Sequence, residues 1–76
     1  MSYLKKTLNR RVTGKNIFNI ITQSDYTFEE VAFILELNSP RVIYEWVKGN
    51  KMPSLENFYN LIILLNAKVE DVLAFA

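Results

Sequence analysis

The two side chains most often recruited for chemistry are missing from this chain. It has no histidine and no cysteine, which removes the commonest general base, the commonest metal ligand and every thiolate nucleophile. Eight carboxylates remain: Asp25, Glu29, Glu30, Glu36, Glu45, Glu56, Glu70 and Asp71. Each is explained as a helix cap or as part of a solvated face, and none stands with a visible base, nucleophile and oxyanion set. The chain is therefore expected to be no enzyme, to hold no metal or cofactor and to take no small-molecule ligand. What is left is recognition, carried by charge and hydrogen bonds at a surface.

One stretch concentrates the groups for it. Ser39, Pro40, Arg41, Tyr44, Glu45 and Lys48 lie between Asn38 and Gly49, with Lys51 just beyond. The ends of the stretch are those of a short helix. Ser39 is a good N-cap, Pro40 suits the next position, where no amide hydrogen is needed, and Gly49 suits the left-handed residue just past the last turn. Ile43, Trp46 and Val47 then face a core, while Arg41, Val42, Tyr44, Glu45 and Lys48 look outward. A helix with one buried face, a sharp start and a long-reaching polar outer face suits the major groove of DNA. It equally describes an ordinary amphipathic helix of a small bundle, and these residues alone leave both readings open.

Seventy-six residues, half of them apolar, make one domain, 1–76, with enough apolar material for a single core. The net charge is only +1, but it is unevenly spread. Lys5, Lys6, Arg10, Arg11 and Lys15 fall in the first fifteen residues with no acid among them, whereas Arg41, Lys48, Lys51 and Lys68 share the remainder with all eight acids. Such a distribution suggests directed basic surfaces, which matter more to phosphate binding than net charge does. Residues 1–13 read as a basic N-terminal arm, solvated or phosphate-contacting. No apolar run reaches the length of a membrane span and no signal-type segment follows Met1, so no membrane is expected and a cytoplasmic location is.

The arm and the recognition stretch are held by a chain that reads as all-α, one domain of five short helices. Ile17, Ile20 and Ile21 predict a first helix over 16–23. Thr27 and Glu30 form a capping box that opens the second, whose core stripe is Val31, Ile34 and Leu35, with Ala32 beside it. Glu36, Leu37 and Asn38 leave room only for a tight corner before the third helix, which makes the pair a helix-turn-helix. Ser54 caps a fourth helix running to about Leu65, with Leu55, Phe58, Leu61 and Leu65 as its core face. Val69, Val72 and Leu73 mark a short fifth helix with Glu70 and Asp71 in its first turn.

These residues resemble the XRE (Cro and phage-repressor type) helix-turn-helix family of bacterial, phage and mobile-element regulators, whose domains are lambda-repressor-like. A narrower subgroup is similar in two signatures, Thr13-Gly14-Lys15-Asn16-Ile17 and Ser39-Pro40-x-x-Ile43-Tyr44-x-Trp46-x-x-Gly49, the second followed by Pro53-Ser54-Leu55-x-Asn57. The resemblance implies sequence-specific binding of double-stranded DNA by a small cytoplasmic transcriptional regulator, a repressor, with Ser39 to Lys48 as recognition helix and Thr27 touching the phosphate backbone. Arg41 is the expected base reader, because a first-turn arginine can donate two bonds to guanine. Ser39, Tyr44, Lys48, Lys51 and Lys15 are expected at phosphate or sugar, and Glu45 either accepts from a cytosine amino group or is repelled. The chain departs from the family at Phe28, where a glutamine is usual, at Glu36, where a turn glycine is usual, and at Val47-Lys48.

Two further expectations concern partners. The rival function is a protein-binding module on the same fold, an antitoxin, antirepressor or adaptor, favoured by Phe28, Glu45 and the acidic remainder. Ile63 falls on the wet side of the fourth helix with Glu56 and Asn60, bordered by Ile62 and Tyr59. That apolar group suggests a weak homodimer through the fourth or fifth helix.

Overall fold

The computed structural model describes residues 6–76, so Lys5 and the start of the basic arm lie outside the described residues. The chain forms α1 (Arg10–Thr22), α2 (Phe28–Ile34), α3 (Arg41–Val47), α4 (Leu55–Leu65) and α5 (Val69–Val72). This is the expected all-α arrangement of five short helices. Each helix contributes to one core: Ile17 and Ile21 from α1, Val31 and Ala32 from α2, Ile43 and Trp46 from α3, Leu61 from α4 and Val72 from α5. No helix among the described residues is long and apolar enough to cross a membrane.

The first helix starts six residues earlier than its apolar spacing predicts. Asn9 caps it, its Oδ1 accepting from the Val12 amide at 3.1 Å. Arg10 to Thr13, read from sequence as the end of the arm, are thus its first turn. Gly14 does not interrupt the helix, because its bareness serves another element. A Cβ there would lie 2.4 Å from the Trp46 carbonyl oxygen and 2.5 Å from that of Val47. α1 and α3 therefore touch backbone to backbone, which only glycine permits.

The neighbours of Gly14 hold the far end of the chain. Thr13, 1% exposed, accepts from the Ala74 amide on Oγ1 at 3.0 Å, and Asn16 donates through Nδ2 to the Val72 carbonyl at 3.0 Å. The Asn9 amide donates to the Ala74 carbonyl and the Ala76 amide to the Thr7 carbonyl, at 2.7 and 2.8 Å, around an isolated antiparallel bridge from Leu8 to Phe75. In the Thr13–Ile17 signature four residues of five thus have structural work, and only Lys15 is exposed.

Helices α2, α3 and α4 end alike. Glu36, Gly49 and Asn66 each take positive φ, at 58°, 80° and 54°. The following amide closes a six-residue loop each time: Leu37 to the Ala32 carbonyl, Asn50 to Glu45 and Ala67 to Ile62. Glycine and asparagine suit that conformation. Glu36 is the strained one, since a side chain with Cβ costs roughly 1 kcal/mol there.

Four side chains depart from the expected stripes. Ile34 is 45% exposed, because the inward face of α2 passes through Val31 and Ala32, and the turn at Glu36 brings Leu37 inward instead. Leu55 and Val69, 85% and 47% exposed, are the first residues of their helices and stand short of the core that the following turn reaches. Val42 is half-buried against the core rather than outward.

Candidate nucleic-acid interface

The capping box that opens α2 is complete. Thr27 Oγ1 accepts from the Glu30 amide at 3.1 Å, and Glu30 Oε1 accepts from the Thr27 amide at 2.8 Å. After the corner at Glu36, Ser39 takes up the same task for α3. Pro40 already has helical dihedrals, φ −60° and ψ −20°. The capping atom is accordingly Ser39 Oγ, which accepts from the Arg41 amide at 3.2 Å. Ile43 and Trp46, 0% and 2% exposed, pin the opposite face in the core. The orientation of α3 is therefore fixed by a cap at one end, two core anchors along its length and Gly14 beneath its last turn.

The outward side of α3 forms a shallow concavity lined by Arg41, Tyr44, Glu45, Lys48 and Lys51. Three cations face one carboxylate across it. A second depression continues past Arg41 to Ser39, Val42 and Trp46. Glu45 is half-buried as a residue, and its carboxylate accepts a long, exposed bond, 3.4 Å, from Asn50 Nδ2. Its backbone carbonyl accepts from the Asn50 and Lys51 amides. Glu45 thus ties the loop after α3 to the helix and holds Lys51 at the edge of the concavity. Tyr44 is 41% exposed, and its ring lies 5.1 Å from that of Phe28, which stacks in turn on Phe18 at 5.9 Å. This aromatic row across α1, α2 and α3 makes Tyr44 a rigid wall rather than a loose polar arm.

Of the residues singled out from sequence, Arg41, Tyr44, Glu45, Lys48 and Lys51 are brought together, and Ser39 adjoins them. Pro40 is half-buried in the first turn of α3. Thr27 and Lys15 are exposed on α2 and α1 but line neither depression. Sequence reasoning missed the roles of Asn50, Gly14 and Phe28 here. Only the position of Asn50, five residues after Glu45 and directly after Gly49, offered a signal. Among the described residues no group of three or more acidic, His or Cys side chains is placed to hold a metal ion.

The chain is similar to a solved structure, that of the clp gene regulator ClgR from C. glutamicum, with a TM-score of 0.74 and 26% identity over 90% of this chain and 86% of that one. No family model matches the sequence. No curated protein matches it either.

Proposed function

We propose that this chain binds double-stranded DNA as a small transcriptional regulator of the XRE type, with α3 in the major groove. The observation that carries the reading is the convergence of Arg41, Lys48 and Lys51 around Tyr44, on and just after the second helix of a helix-turn-helix. The likeness to a gene regulator supports it. Arg41 donates to a guanine edge. Ser39, Lys48 and Lys51 contact phosphate or sugar, and Thr27 and Lys15 meet the backbone from the flanking helices. Repression then needs nothing beyond occupancy of the site.

The test is binding to duplexes as a function of salt. Affinity for mixed-sequence DNA falls linearly with the logarithm of salt concentration, because bound phosphates release counterions. Lys48→Ala weakens binding to all duplexes alike and flattens that slope by about one unit, whereas Arg41→Ala relaxes base preference at one position with a loss of about 1–3 kcal/mol of discrimination. Binding untouched by both substitutions would rule this role out for α3.

The same proposal includes a weak homodimer. Leu55, Tyr59 and Ile63, one helical turn apart, are 85%, 63% and 61% exposed, an apolar stripe along α4 with half-buried Ile62 at its margin. Pairing through it lets two copies of α3 reach successive major grooves about 34 Å apart. Sedimentation with a two-half-site duplex is expected to give a dimer for the wild type and a monomer for Ile63→Lys. Identical independent binding by both proteins eliminates the dimer.

A further inference from the structure

The outer face of α2 is apolar where a free surface is ordinarily polar. Phe33 is 84% exposed and Ile34 45%, and Tyr26 joins them across a shallow depression whose other walls are Glu29 and Glu30. Beyond Ile34 the surface dips again, toward Glu36 and Glu56. Every charged side chain around these two depressions is a glutamate, and they share no residue with the basic concavity of α3. Glu29 and Phe33 stand one turn apart, as do Glu30 and Ile34, so acid and apolar groups follow each other along one helical face.

We infer that this face docks a basic amphipathic helix of a partner protein. Its apolar side chains cover Phe33 and Ile34, and its lysines or arginines pair with the surrounding glutamates. Charge selects the occupant. A second copy laid symmetrically on this face brings glutamate against glutamate, and a nucleic acid meets the same repulsion. A basic helix gains both terms at once, and a partner of either other charge type loses one of them. None of its residues belongs to α3; Glu30 also caps Thr27, a proposed backbone contact, and Ile63 of the proposed dimer borders the second depression, so the substitutions below avoid both.

The probe is a synthetic helical peptide of about 18 residues, five turns, with leucines on one face and lysines beside them. Its control carries glutamate for every lysine. Titrated against the full chain, the lysine peptide is expected to bind, and to bind more weakly as salt rises. Phe33→Ser reduces its affinity at least about tenfold with an unchanged thermal midpoint, as expected of an exposed anchor. Glu29→Gln combined with Glu36→Gln weakens it and flattens the salt dependence. Equal affinity for wild type and Phe33→Ser, or equally tight binding of the glutamate peptide, overturns the inference. Self-association of the wild type that Phe33→Ser abolishes also overturns it, by giving the face to a second copy.

Discussion

Gly14→Ala is expected to destabilise the domain by about 2–3 kcal/mol, although alanine is the better helix former by about 1 kcal/mol. The sign of the net effect is set by what the new methyl meets. It would stand 2.4 and 2.5 Å from two carbonyl oxygens of α3 and 2.9 Å from the Val47 carbonyl carbon. These atoms belong to backbone, so no rotamer change relieves the clash, and α1 and α3 must separate. Separation opens the contact between Ile17 and Ile21 on one side and Ile43 and Trp46 on the other, so overpacking at one point becomes underpacking across the core. Thermal or urea unfolding reads the outcome. A midpoint equal to or above that of the wild type would mean that the two helices do not meet at Gly14.

Trp46→Ala has a larger expected effect, about 3–5 kcal/mol. A domain of this length has a total stability on the order of 4–11 kcal/mol, so the variant loses a large part of it and is substantially unfolded at moderate temperature. Trp46 is 2% exposed, and its own carbonyl accepts from the Gly49 amide at 3.0 Å, so the indole anchor and the end of α3 are one unit. Removing the indole leaves a void between α1 and α3 that neither helix can close, since both are pinned at Gly14 and Gly49. The comparison is Phe33→Ala, an aromatic of similar size at 84% exposure, whose loss shifts stability by less than about 0.5 kcal/mol. Should the two substitutions lower the midpoint equally, the assignment of α3's buried face is wrong.

Features decided within one turn of chain were legible in the sequence. The caps at Thr27, Ser39 and Ser54, the glycine ending α3, and the burial of Ile43 and Trp46 follow from neighbours three or four residues away. Features decided by distant chain were not. Gly14 reads in the sequence as chain leading into the first helix, and its place inside α1 is explained only by Trp46 and Val47. Periodicity put Leu55, Ile34 and Val69 on core stripes, but a stripe says nothing of where the core stops, and these three lie at helix ends beyond it. The candidate site divides the same way. Its outward residues were legible from spacing on α3. The contact of Tyr44 with Phe28 and the hold of Glu45 on Asn50 depend on how α2 and the following loop are placed.

The clasp between residues 7–9 and 74–76 bears on how the domain is made. Synthesis delivers α1 well before the segment from Val72 to Ala76. Until that segment leaves the ribosome, Thr13 and Asn16 have no Ala74 amide or Val72 carbonyl to bond, and Val72 has not closed the core over α1. At about 5–20 residues per second the chain therefore spends several seconds with its first helix incompletely covered. Folding of this domain therefore closes late: the early helices can collapse against one another on the ribosome, but the native clasp forms only once residues 74–76 have emerged.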